Sequence, residues 1–130
     1  MAHYDVLIIG AGPAGLTAGL YCGRARLKTV IVEQGIPGGE LVNTARIEDY
    51  PGFEAIGGPE LAERLERQAR TFGVEITTDA VVEVASAGDG KRIVAGAGSD
   101  TAGAVIVAGG GQAAEARRAR RGRAGRGAGV

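Results

Sequence analysis

With 130 residues, 45% of them hydrophobic, the chain has enough apolar material for one domain and its core. Its formal net charge is zero but unevenly spread: residues 111–130 hold six arginines against one glutamate, which leaves the preceding 110 with an excess of five acidic charges. The single cysteine, Cys22, excludes an intrachain disulfide and a thiolate metal cluster, and no apolar stretch is long enough to span a bilayer. The first predicted element is Val6-Leu7-Ile8-Ile9, a short, largely β-branched run that suits a parallel strand buried on both faces. Asp5 interrupts the start and the run is too short for a signal peptide, so a cytoplasmic location is expected. His3 reads as an exposed N-terminal residue without a catalytic role.

Gly10, Gly12 and Gly15 follow the strand as G-x-G-x-x-G, and a helical pattern begins at once, from Leu16 to about Arg24. The spacing has a mechanical meaning. Gly10 permits the tight turn, Gly12 lets backbone approach a pyrophosphate, and Gly15 lets helix and strand pack closely. The helix start offers free N–H groups to phosphate, and Pro13 fits its first turn, where an N–H is not needed. A glycine-rich turn that binds nothing is the plain alternative. The context argues against it, because a second apolar strand, Thr29 to Val32, ends in Glu33, 23 residues after Gly10. That is close to the spacing of about 20 residues expected for a ribose-binding carboxylate. Gln34 follows, with no arginine near it for a 2′-phosphate, so a dinucleotide with a free adenosine ribose is favoured over NADP.

A glycine-rich loop, Gln34 to Gly39, and an irregular patch over residues 40–58 come next. Pro59 then opens an amphipathic helix, with Leu61, Leu65, Ala69 and Phe72 on one face and paired charges on the other. Gly73 stops it. Val74-Glu75-Ile76 reads as the next parallel strand. Val81 to Val84 and Arg92 to Ala95 read as antiparallel strands turning at Asp89-Gly90, and Ala104 to Val107 as a last buried strand. The order predicts an α/β domain: a doubly wound, Rossmann-like parallel sheet with a small antiparallel β-meander. Cys22 is expected to be a small packing residue of the first helix.

The blocks YDVLIIGAGPAGLTAGLYCGRARLKTVIVE, GIPGGEL, IEDYPGF, GPEL and AVIVAGG resemble the N-terminal FAD-binding half of bacterial thioredoxin reductases, over residues 4 to about 111. GIPGGEL and IEDYPGF are the most specific, since a generic dinucleotide domain lacks them. The resemblance implies that Gly10, Gly12 and Gly15, with Pro13 and Ala14, meet the FAD pyrophosphate, and that Glu33, beside Gln34, meets the adenosine ribose. Gly38, Gly39 and Glu40 would form a further FAD-contacting loop, with Asn43 and Asp49 near the flavin end. Glu40 stands where the family usually has Gln and Asp49 where it has Asn, which would place negative charge near the flavin. Ala108-Gly109-Gly110 replaces the usual Ala-Thr-Gly.

In that family a second domain binds NADPH and carries a Cys-x-x-Cys, and a returning C-terminal segment completes the FAD site. None of these is expected in this chain, so no catalytic residue and no metal ligand is assigned. The FAD/NAD(P)-binding domain is read as incomplete, its FAD site as weak, and the chain as inactive alone. A thioredoxin-like disulfide protein and a homodimer belong to the full-length relatives. The expected organisation is a partial FAD-binding domain over 1–111 and a disordered Arg/Ala/Gly-rich tail over 112–130. The tail reads as a frameshift in GC-rich DNA that truncates a longer reductase; its rival, a nucleic-acid-binding arm, lacks aromatics between its arginines. The functional alternatives are a fragment similar to ferredoxin–NADP reductase and a non-catalytic dinucleotide-binding module.

Overall fold

A computed structural model describes residues 1–110. Its elements in chain order are β1 (His3–Ile9), α1 (Pro13–Arg24), β2 (Thr29–Glu33), a 3-10 turn (Gly39–Asn43), α2 (Gly58–Thr71), β3 (Glu75–Thr78), β4 (Val81–Ala87), β5 (Gly90–Ala95) and β6 (Gly98–Val107). One sheet holds the six strands, in the order β3-β2-β1-β6-β5-β4. The first four strands of that order are parallel and the last three form an antiparallel meander, with β6 common to both. The expected α/β sheet with its meander is therefore the observed one.

Alternation along β1 sends its side chains to two cores. Val6 and Ile8 join Ile31 of β2 beneath Leu16 of α1 and Ala69 of α2, with Cys22 packed alongside as expected. Leu7 points the other way and buries with Val30 and Val32 against Ile93 of β5, while Val81 and Val84 of β4 pack beside them. Both helices thus serve the first core, and the meander rather than a helix supplies the second.

Several boundaries differ from those read in the sequence. The helix α1 begins at Pro13, three residues before the Leu16 at which its sequence pattern starts, in keeping with the place expected for Pro13 in the first turn. The β4–β5 turn centres on Gly88-Asp89, one residue earlier than the Asp89-Gly90 turn expected, with Ala87 paired to Gly90 and Gly88 at φ +60°. The last strand runs ten residues, from Gly98 rather than Ala104, because its polar first half is recruited by pairing with β5. His3 does lie exposed, yet it belongs to β1, where its Nδ1 lies 2.8 Å from Thr101 Oγ1.

Among residues 40–58, Ile47 and Ile56 exchange two backbone hydrogen bonds of 2.8 and 3.0 Å. They bury with Leu61 of α2, and Tyr50 and Phe53 pack against that third core. The segment is a folded loop held to α2. The tail expected to be disordered lies outside the described residues.

Candidate functional site

The parallel register aligns Ile9 of β1 with Val32 of β2 and Val107 of β6, so the carboxyl ends of the central strands share one edge. That edge is where ligands bind in open α/β sheets. The chain leaves β1 at Gly10, whose φ of +106° is open to glycine and strained for other residues. A methyl group there would also lie 2.5 Å from the Ala108 carbonyl oxygen at the end of β6. Gly15 is required for a different reason: its Cβ would collide with the Gly10 carbonyl. Gly12 contrasts with both, since a methyl group there would meet no atom of the described residues within 4 Å. The fold of the described residues explains Gly10 and Gly15 but not Gly12.

Gly12 is also the N-cap of α1, with no side-chain cap and no acidic residue in the first turn, where Pro13 and Ala14 stand. The start of α2 differs, because Glu60 occupies its first turn. The uncapped end of α1 keeps its N–H groups and the positive end of its dipole available to an anion.

Glu33 closes the site from β2. Only 8% exposed, its carboxylate accepts hydrogen bonds from the Ala11 N–H at Oε1 (3.0 Å) and from the Gly35 N–H at Oε2 (2.9 Å). Its carbonyl accepts a third from the Asp79 N–H, at 3.0 Å. This acid thus touches the glycine loop directly, across 22 residues.

The second glycine loop arrives at the same place. Gly38 N–H donates to the Ala11 carbonyl at 2.7 Å, and its φ of +108° with Ala62 Cβ only 2.5 Å from where its own Cβ would sit admits no side chain. Gly39 follows, so placed that a Cβ on it would lie 3.5 Å from Gly12 Cα. The two glycine loops therefore lie against each other. Gln34 is exposed beside Glu33. Glu40 and Asn43 lie exposed on the 3-10 turn and Asp49 in the loop between Ile47 and Ile56. Among the described residues the side chains of these three make no hydrogen bond to the glycine loops.

Ala11 is the residue that motif reading passed over. It is fully buried, and its N–H and C=O are gripped from opposite sides by Glu33 and Gly38. The only signal in the sequence is a small side chain between the first two glycines of the motif.

Asp79, the other acid of this edge, accepts from the Ala80, Gly96 and Ala97 N–H groups at 2.8 to 3.0 Å. The Ala97 bond, then that of Ala80, holds its carboxyl below the ordinary value, with burial opposing and the Gly96 bond adding to them. It ties the turn after β3 to the β5–β6 turn.

Over residues 4–116 the chain matches the pyridine nucleotide-disulphide oxidoreductase family. The chain belongs to that family. It is similar to the thioredoxin reductase of Bacillus subtilis, 49% identical over 107 residues, covering 82% of this chain and 34% of the relative. The thioredoxin reductase of Listeria monocytogenes is 48% identical over 105 residues, 81% of this chain and 33% of its own length. Among solved structures, the thioredoxin reductase of Streptococcus pyogenes superposes with a TM-score of 0.80 at 45% identity, covering 83% of this chain and 35% of that one. That of Lactococcus lactis gives 0.79 at 43% identity, covering 82% and 35%. The chain spans about a third of the length of the curated relatives it matches. Among the described residues no helix is long and apolar enough to cross a membrane.

Proposed function

We propose that the chain is the FAD-binding part of a thioredoxin reductase-like flavoprotein oxidoreductase, and that residues 1–111 hold the ADP moiety of the dinucleotide. The observation that carries this reading is the space kept at Gly12 in a loop whose other two glycines the fold itself requires. Pyrophosphate would lie over Gly12, facing the N–H groups at the start of α1, with Gly39 on its other side. Glu33 is at the right edge to accept from a ribose hydroxyl, because each carboxylate oxygen has capacity beyond its one backbone bond. Glu40, Asn43 and Asp49 are assigned to the flavin end, on the resemblance alone.

The named relatives are thioredoxin reductases, which favours this reading over a ferredoxin–NADP reductase fragment. When bound, FAD supplies the relay of electrons between a nicotinamide and a disulfide. The residues of this chain bind and orient it. With Cys22 as their only cysteine, the 130 residues do not hold the dithiol that such a relay discharges into. NADPH and a thioredoxin-like acceptor are accordingly partners of the longer relatives, and the activity of this chain alone is expected to be nil. A cytoplasmic location is part of the proposal.

The isoalloxazine ring needs walls on several sides, whereas the glycine loops and Glu33 address only phosphate and ribose. The expected result of a calorimetric titration is therefore weak binding of FAD and of ADP with similar affinities, and loss of both in Gly12→Ala. Failure of the wild-type chain to bind ADP would overturn the assignment. Tight, stoichiometric FAD binding without ADP binding would show that the ring site is complete and the ADP site is not the anchor.

A further inference from the structure

We propose that Glu33 is a positioning residue, which locks the two glycine loops in register before any nucleotide arrives. The inference deepens the ADP-site reading and rests on it. A carboxylate kept only for ribose would point its oxygens at solvent. Here one oxygen accepts from Ala11 in the first loop and the other from Gly35 at the head of the second. The second loop completes the grip from the far side, as Gly38 N–H donates to the carbonyl of the same Ala11. The peptides on either side of Ala11 are each held at one polar group, and the Gly12 backbone that follows inherits a fixed orientation. Glu33 is itself anchored, since its carbonyl accepts from Asp79 N–H and its residue is nearly out of water. Both carboxylate bonds require acceptors on both atoms. A glutamine keeps one acceptor and turns an NH2 group toward the other backbone N–H, donor against donor.

Glu33→Gln separates this role from ribose contact, because inorganic pyrophosphate carries no ribose. The expected result is that Glu33→Gln weakens binding of pyrophosphate and of ADP by a similar factor, about tenfold, while the denaturation midpoint of the 130-residue chain stays well above the assay temperature. A loss confined to ADP would reduce Glu33 to a ribose contact and overturn the proposal. Hydrogen exchange supplies a readout that survives poor folding of the variant. Gly35 is exposed and its N–H has the Glu33 carboxylate as its acceptor, so this amide is expected to be protected in the unliganded wild-type chain. Exchange of Gly35 at the rate of a free loop in the wild type would overturn the lock whether or not nucleotide binds. A protected Gly35 amide in a chain that binds neither ADP nor pyrophosphate would refute the phosphate-binding geometry and, with it, the ADP-site reading.

Discussion

Strands β2 and β6 flank β1 on either side and are made of similar material, Thr-Val-Ile-Val against Ala-Val-Ile-Val, yet they meet different surroundings. Every residue of β2 is buried. In β6, Ile106 and Val107 remain 36% and 44% exposed, and Ala104 is exposed with them. The register explains the difference at Ala104 and Ile106, which lie beside Val6 and Ile8 on the face that α1 and α2 cover over β1 and β2, whereas Val107 lies beside Ile9 on the other face. Among the described residues the helical layer reaches β6 only marginally, through α1. A β-branched apolar run thus specifies a parallel strand, but its burial is conferred by the layer above it.

Matched truncations test that contrast most strongly. Ile31→Ala in β2 is expected to cost about 3 kcal/mol, the usual loss for a buried isoleucine. Ile106→Ala in β6 is expected to stay within about 1 kcal/mol, because much of its side chain already meets water. Denaturant unfolding of the two variants measures both. Equal costs would mean that something covers β6 and would erase the comparison.

The glycine loop offers a second pair. Gly15→Ala is expected to cost about 2 kcal/mol through forced overpacking, since its Cβ would collide with the Gly10 carbonyl. Gly12→Ala is expected to change stability by less than about 0.5 kcal/mol, as its φ of −75° suits any residue and its surroundings are open. The same unfolding measurement separates them, and a large loss in Gly12→Ala would show that the fold, not a ligand, needs this glycine.

The smallest effects come from pH, and they fall at opposite ends of its range. Tyr4 Oη donates to Glu75 at 2.7 Å, which ties β1 to β3, and that bond chiefly, with burial and the charge of Glu75, pushes its pKa up to about 12. A raised pKa gives stabilisation that is whole below the ordinary value of 10.0 and is lost as pH rises from there to about 12. Asp79 has the opposite sign. Its lowered pKa gives stabilisation present above the ordinary value of 3.8 and lost as pH falls through its own. Alkali is expected to loosen the parallel half first and acid the meander. Comparing Tyr4→Phe and Asp79→Asn with the wild type across both ranges checks this, and a wild-type alkaline loss retained in Tyr4→Phe would reassign it.

How much of this was legible depended on whether the cause was local. The β1-α1-β2 unit could be read because glycine spacing, Pro13 and the acid at the end of β2 are all short-range signals. The helix α2 could be read because Leu61, Leu65 and Ala69 repeat at helical spacing. The first half of β6, Gly-Ser-Asp-Thr-Ala-Gly, carries no such pattern; it is a strand because β5 and β1 offer it partners. The three amides on Asp79 were equally hidden, since two of them come from a turn 17 and 18 residues away. Of the site, the required residues were visible as letters, while the double grip on Ala11 needed coordinates, because no side-chain chemistry marks it.

The pairing of β1 with β6 carries a consequence for how the chain folds. His3 meets Thr101 and Ile9 meets Val107, which makes this the most distant pairing along the chain in the sheet. On a ribosome β1 can bind β2 early, but its other edge stays open until nearly all of the described residues have emerged. The slow step is then a long loop closure, and the exposed edge of β1 in the waiting intermediate is the place where a chaperone or a second nascent chain competes with β6.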